Sequence, residues 1–102
     1  MIVTDSKDWR RARCHDLWAE QDGFCFYCGI AMAAPLAQRL RHRKRQDAAT
    51  IDHVQPRTLG GEAQWANEVA SCRACNAAKA DTPPTAAELE KLTALKSRPR
   101  NR

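Results

Sequence analysis

The spacing of hydrophobic and polar residues predicts an α+β domain built from short elements. Residues 6–22 form an amphipathic pattern that predicts the first helix, with Ser6 as its N-cap and Gly23 as its stop. The apolar positions of this helix are Trp9, Cys14, Leu17 and Trp18. We expect both tryptophans to lie in the core, and we expect Cys14 to act as a small buried hydrophobic residue.

Two short strands and a loop are predicted in the middle of the chain. Residues 48–54 are rich in apolar and β-branched side chains and predict a strand, and residues 67–71 predict a second. Between them, residues 55–66 contain Pro56, Gly60 and Gly61, which predict a loop. Residues 31–47 resist assignment, and we interpret them as a basic loop or a short surface helix.

The C-terminal part predicts two helices separated by a break. Residues 72–80 predict a short helix, and residues 81–84 end it with two prolines. Thr85 followed by Glu88 is a capping-box pattern, which predicts a helix over residues 86–96 with three leucines as its apolar stripe. We predict one domain over residues 1–102, with a core over 24–83 and a disordered basic tail over 97–102.

The charge favours a polyanionic partner. The chain has 102 residues and a formal net charge of +5, and most of its basic residues fall into three clusters. The middle cluster consists of Arg39, Arg41, Arg43, Lys44 and Arg45. Any one cluster could be an ordinary solvated surface, but three on a small domain favour contacts to phosphates.

Two Cys-x-x-Cys motifs predict a metal site. Cys25 with Cys28 forms the first motif and Cys72 with Cys75 the second, so four thiolates can surround one zinc ion. Such a site has no open position, which indicates a structural metal that ties the two ends of the domain together. Because the N-terminal residues show no signal-peptide pattern and no apolar run is long enough to cross a membrane, we expect a cytoplasmic protein, where paired cysteines more often bind metal.

A set of polar residues between and after these motifs suits phosphodiester hydrolysis. His53 can accept a proton from an attacking water near neutral pH. Asp52 and Asn76 offer oxygen ligands to a hard divalent cation, which stabilises developing negative charge. Asn67 is the candidate for holding the imidazole. Because Asp52 and His53 are adjacent, they would face opposite ways in a regular strand, and they can serve one site if the strand ends or bends there.

This combination resembles the HNH endonuclease family, whose core is the ββα-metal fold. The residues that carry the resemblance are Asp-His-Val-x-Pro-Arg from Asp52, Gly-Gly-Glu from Gly60, Asn67, and Cys-x-x-Cys-Asn-x-x-Lys from Cys72. They lie between Cys25 and about Pro83, and the chain is most similar to the small zinc-knuckle subgroup found free-standing in bacteria and phages.

The resemblance implies DNA cleavage that leaves a 5′-phosphate and a 3′-hydroxyl. It implies that His53 is the general base, that Asp52 and Asn76 bind the catalytic metal, and that Asn67 orients His53 and shapes its loop. The family often has histidine where this chain has Asn76, so it is an HNN variant, for which Mg²⁺ or Mn²⁺ is favoured and Ni²⁺ is a further candidate. Arg57 and Lys79 would lie near the scissile phosphate, and the basic run from Arg39 to Arg45 would be an added DNA contact.

Two alternatives stay open at this point. The basic clusters and zinc knuckles alone would suit a non-catalytic DNA-binding module, which would not need the set of Asp52, His53, Asn67 and Asn76. The chain could also be the nuclease subunit of a phage DNA-packaging machine, with packaging proteins as partners. Because the charge suits backbone contacts, which carry no sequence information directly, we expect weak sequence specificity or nicking.

Overall fold

A computed structural model of the protein describes residues 6–35 and 45–98. In these ranges the chain forms helix α1 (Ser6–Glu20), strands β1 (Ala49–His53) and β2 (Glu68–Cys72), helix α2 (Arg73–Lys79) and helix α3 (Ala86–Lys96). Two short 3₁₀ turns, Arg57–Leu59 and Trp65–Asn67, lie in the loop between the strands. The α+β prediction is confirmed, since a two-stranded antiparallel hairpin followed by a helix forms the centre of the domain.

The hairpin pairs β1 with β2 over the full length of both strands. The register runs from Ala49 opposite Cys72 to His53 opposite Glu68. The outer edge of β2 is also covered, because the Gln21 side chain both donates to and accepts from the backbone of Ala70 at 2.8 Å. All five residues of strand β2 are therefore buried.

The core lies on both faces of the hairpin. Leu17 of α1 packs in one cluster with Met32, Ala70 and two zinc-motif cysteines, while Val69 packs with Phe26 and Val54 in a second cluster. Since successive strand residues face opposite sides, Ala70 and Val69 serve different clusters. Leu92 and Leu95 of α3 close the second cluster. Both helices that flank the hairpin thus contribute apolar side chains to it.

Helix α1 differs from its prediction in two respects. It ends at Glu20 rather than at residue 22, because Asp22 and Gly23 adopt positive φ values of 57° and 84°. The expectation that both tryptophans lie in the core is wrong for Trp9, which is 55% exposed. The guanidinium of Arg13 lies over its ring, 4.9 Å from the centroid, so Trp9 contributes a cation–π contact at the surface. The prediction for Cys14 is confirmed, since its side chain is buried.

The C-terminal helices begin at side-chain caps. Cys72 accepts a hydrogen bond from the backbone N–H of Cys75 at the start of α2, so the second zinc motif is also the turn that starts this helix. Thr85 and Glu88 form the predicted capping box at the start of α3. In the part of the chain that the structure describes, no helix is long and apolar enough to cross a membrane.

Candidate functional site

The two Cys-x-x-Cys turns meet at one point beside the hairpin. The sulfur atoms of Cys25, Cys28, Cys72 and Cys75 all lie within 4.8 Å of one another. A tetrahedral zinc site with Zn–S bonds of about 2.3 Å places its sulfurs about 3.8 Å apart. The distance between the sulfurs of Cys28 and Cys72 is 3.8 Å, so the cluster fits a four-thiolate zinc ion. Four sulfur donors leave no open position, which suits a structural metal.

Backbone groups prepare the cluster for a cation. Burial alone would raise the pKa of Cys25, but backbone N–H groups of Cys28, Cys72 and Tyr27 lower that pKa to about 6. Burial raises the pKa of Cys75 and of Cys72. One thiolate is thus favoured by the fold itself, while the others gain from a bound cation that offsets the repulsion among negative sulfurs.

The first zinc motif also delivers Tyr27 to the predicted catalytic site. The Tyr27 hydroxyl donates a hydrogen bond to Oδ2 of Asp52, and Nζ of Lys79 lies 3.6 Å from the same oxygen. Asp52 is only 5% exposed. Burial raises its pKa above the ordinary value, although Tyr27, Lys79 and His53 each lower it. The contacts of the carboxylate therefore offset only part of the cost of burying its negative charge.

Helix α2 brings two further residues to β1. Nδ2 of Asn76 donates to Oγ1 of Thr50 at 2.9 Å and to the carbonyl of Ile51 at 3.3 Å, which leaves the amide oxygen as the donor atom for a metal. One turn later, Nζ of Lys79 donates to the carbonyl of His53 at 3.1 Å. Lys79 is 9% exposed at its side chain and is directed into the site. Its predicted contact with DNA stays a prediction, beside the contacts with Asp52 and His53 that the sequence did not indicate.

His53 is the last residue of β1, and it faces a different partner. The strand ends at this residue, as the shared site requires, but the strand alternation persists, so His53 lies opposite Glu68 and Asp52 lies opposite Val69. Nε2 of His53 is 3.4 Å from Oε2 of Glu68. The other carboxylate oxygen of Glu68 accepts a hydrogen bond from Arg13 of α1. Lys79 links the two sides of the strand, because its ammonium contacts both the His53 carbonyl and the Asp52 carboxylate.

Asn67 holds the loop after β1. Its Oδ1 accepts from the backbone N–H of Gln55 at 2.9 Å, and its Nδ2 donates to the carbonyls of Gln55 at 3.1 Å and Glu62 at 3.0 Å. These three bonds join Asn67 to the loop backbone and none of them to the imidazole, so they support its role in shaping the loop, while the orientation of His53 by Asn67 stays a prediction. Any influence of Asn67 on His53 passes through the backbone of Gln55, two residues further along the chain.

The other predicted DNA contacts are only partly visible. Arg57 is exposed in the first 3₁₀ turn. Arg45 is also exposed, and its guanidinium forms two hydrogen bonds to the Asp47 carboxylate at 2.9 Å and 2.7 Å. The remaining members of the basic run lie outside the described residues, namely Arg39, Arg41, Arg43 and Lys44. The predicted tail over residues 97–102 also lies largely outside them.

Three residues of the site escaped the sequence-based prediction. Tyr27 has only a weak signal, as an aromatic residue between two zinc ligands. Glu68 has a stronger one, because an acidic residue opens a strand that is otherwise apolar or small. Arg13 has none, since its partner Glu68 lies 55 positions away.

Comparison with known families agrees with this geometry. The model of the HNH endonuclease family matches residues 41–91, half of the 102-residue chain. This match includes both strands, α2 and the second zinc motif. No match to the chain was found among curated proteins. Membership of the family indicates nuclease activity and implies a DNA substrate. The family model matches half of the chain, and the four-cysteine cluster lies beside the hairpin and the helix that follows it. The protein therefore belongs to the HNH endonuclease family.

Proposed function

We propose that the protein is a metal-dependent DNA endonuclease that hydrolyses phosphodiester bonds. The observation that carries the proposal is that Asn76 and Lys79 of α2 both bond to the end of β1, where Lys79 contacts the Asp52 carboxylate and the backbone carbonyl of His53. A buried carboxylate, an amide oxygen, an imidazole and an ammonium are the groups that hydrolysis of a phosphodiester needs. A module that only bound DNA would gain nothing from a buried carboxylate whose charge is poorly compensated.

The donor atoms of Asp52 and Asn76 fit a hard divalent cation. A carboxylate and an amide oxygen are ligands that Mg²⁺ and Mn²⁺ prefer, and Ni²⁺ is a further candidate. Because burial raises the pKa of Asp52, a nearby divalent charge would stabilise its ionised form. When bound, the cation would stabilise negative charge on the phosphoryl group and the leaving oxygen.

The remaining steps belong to the side chains of the protein. His53 accepts one proton from a water molecule whose oxygen attacks phosphorus. The bond between phosphorus and O3′ breaks, and the 5′-phosphate keeps the oxygen of the water. O3′ takes up a proton from solvent to become a 3′-hydroxyl, and His53 returns its proton to solvent. Lys79 favours the ionised form of Asp52 and holds the carbonyl of His53, so it fixes the end of β1 during the reaction. Arg57, which is exposed, contacts a phosphate beside the scissile one.

Weak sequence specificity is part of the proposal. The basic residues suit contacts with the DNA backbone, which position a protein without reading bases. One chain carries one such site and cuts one strand per event, so a monomer produces nicks first. We propose the cytoplasm as the place of action and structural zinc at the four cysteines. A role beside phage DNA-packaging proteins is a further possibility that the same chemistry would serve.

Supercoiled plasmid provides the direct test. The zinc-loaded protein is incubated with plasmid in EDTA for a short time, or with Mg²⁺, Mn²⁺ or Ni²⁺, and the nicked and linear forms are separated on a gel. We expect nicking that needs an added cation and disappears in His53→Ala. His15→Ala is the matched control, since this histidine stacks on Trp18 in α1 and lies outside the site.

The alternatives give different results in this experiment. Binding of plasmid in a gel-shift assay, without cleavage under any cation and with zinc and fold intact, would identify a binding module. Cleavage that appears only after packaging proteins are added would identify a subunit of such a machine. Cleavage by His53→Ala at the wild-type rate would refute His53 as the general base.

A further inference from the structure

The buried carboxylate of Glu68 stands beside the imidazole of His53 without an assigned role. Glu68 is 2% exposed and occupies the position of β2 directly opposite His53. In an antiparallel pair, directly opposite side chains lie on the same face and in contact range. An acidic side chain is almost never fully buried unless it is paired, so its position calls for specific partners.

Nε2 of His53 lies close to this carboxylate. The atom is buried, and among the residues that the structure describes no group completes a hydrogen bond to it. Oε2 of Glu68 lies 3.4 Å away, slightly beyond hydrogen-bond range. Hydrogen bonds of this kind are often long or poorly aligned in a free enzyme and shorten when substrate binds.

Arg13 fixes the carboxylate from the other side. Its guanidinium donates to Oε1 of Glu68, while the same guanidinium lies over the rings of Trp9 and Trp65, 4.9 Å and 5.6 Å from their centroids. Arg13 therefore has little freedom to turn away. Helix α1, which lies outside the residues matched by the family model, thereby reaches the imidazole through one intermediate side chain.

We propose that Glu68 is a positioning residue for His53. It accepts a hydrogen bond from Nε2–H and so selects the tautomer in which Nδ1 carries the free lone pair. Nδ1 is then the atom that takes the proton from water. The second ring nitrogen of a histidine commonly sets its tautomer in this way, through a carboxylate or a carbonyl. The inference rests on the proposed function for its catalytic consequence, but the choice of tautomer is a separate property of the folded protein.

The test removes the ion pair while keeping the volume. In the double variant Arg13→Met/Glu68→Leu, apolar side chains replace both charges, an exchange that is often neutral or favourable for folding. The matched control is Glu20→Leu/Lys96→Met, which removes an ion pair of 2.7 Å between α1 and α3 that is 10% exposed on both side chains. Melting temperature and zinc content are measured for both.

Two readouts separate positioning from a structural role. In plasmid cleavage we expect kcat of Arg13→Met/Glu68→Leu to fall about 100-fold, within the range that general-base catalysis contributes, with KM for DNA unchanged. The control pair should keep the wild-type kcat. In long-range ¹H–¹⁵N NMR of the imidazole, assigned with His53→Ala, we expect the Nε2–H form in the wild type and a mixture of tautomers in the double variant.

Each outcome decides the question. Wild-type kcat together with an unchanged tautomer in a folded double variant would overturn the role of Glu68. If the wild type cleaves no DNA under any cation, the proposed function fails while the NMR result still tests the positioning. If the double variant does not fold, Glu68→Gln supplies the answer, because it keeps the volume and an acceptor for Arg13. A roughly tenfold lower kcat with unchanged KM would support the role, since charge-assisted hydrogen bonds are the stronger ones, and wild-type kcat would overturn it.

Discussion

The Asn67 side chain offers a measurable link between loop geometry and stability. Asn67→Ala removes three hydrogen bonds, two to the backbone of Gln55 and one to the carbonyl of Glu62. The two bonds to Gln55 are partly buried, and each contributes about 1 kcal/mol, whereas the bond to Glu62 is exposed and contributes less. We therefore expect the free energy of unfolding to fall by about 2–3 kcal/mol.

Urea unfolding at a buffered free-zinc concentration measures this loss. Tryptophan fluorescence follows the unfolding, with Trp9 and Trp18 in α1 and with Trp65 in the same 3₁₀ turn as Asn67. The control is Gln64→Ala, whose side chain makes an exposed hydrogen bond to Glu62 and should change stability by no more than about 0.5 kcal/mol. If Asn67→Ala stays within that same margin, the three bonds do not support the loop and the reasoning is refuted.

The values of kcat and KM provide a second test of the same variant. Because Gln55 follows His53 by two residues, loosening its backbone should disturb the position of the imidazole rather than the binding of DNA. We expect kcat of Asn67→Ala to fall in the absence of urea while KM changes little. A variant that is destabilised but keeps the wild-type kcat would show that the loop does not hold His53.

Three further predictions follow from burial, sulfur ligation and backbone geometry. Because burial raises the pKa of Asp52 above its unfolded value, ionisation costs stability as the pH rises past that value. Asp52→Asn should therefore raise the free energy of unfolding at neutral pH. This gain in stability should shrink as the pH falls toward the ordinary pKa of aspartate, and the variant should lose plasmid cleavage. Cys28→Ala should lose zinc and fold, seen by circular dichroism and metal analysis, whereas Cys14→Ala keeps one zinc per chain, because its thiol lies outside the cluster. Gly61→Ala should lower the free energy of unfolding strongly, because a Cβ there overlaps the backbone carbonyl of Gln55. Gly29→Ala should lower it by only about 1–2 kcal/mol, because its positive φ is the only cost. Equal losses in urea unfolding would contradict this difference.

The parts of the fold that the sequence predicted well are set by residues that lie close together in the chain. Thr85 and Glu88 are three residues apart, so the capping box that starts α3 could be read directly, and the predicted range of 86–96 agrees with the helix Ala86–Lys96. The two Cys-x-x-Cys turns likewise carry their chemistry in four consecutive residues. Because structural zinc takes four ligands, we could predict without knowing the fold that the two turns lie together.

Long-range packing explains what the sequence could not supply. The exposure of Trp9 depends on how α1 lies against the hairpin, which its amphipathic pattern does not specify. The contact of Tyr27 with Asp52 joins residues 25 positions apart. Asn67 matched its motif, yet its partners are backbone groups, which no side-chain pattern reveals. Residue types alone could therefore mark the candidate site, while the contacts that support it required the three-dimensional structure.

The segment from Cys25 to Cys28 has a consequence for the order in which the candidate site assembles during synthesis. Tyr27, the partner of Asp52, stands between two zinc ligands, and the other two ligands leave the ribosome more than forty residues later. Until Cys72 and Cys75 have emerged and the ion has joined both turns, Tyr27 lacks the metal link that ties its turn to the start of α2. A chain without zinc would therefore hold the partner of Asp52 less firmly, and the candidate site would be complete only once both turns share the ion.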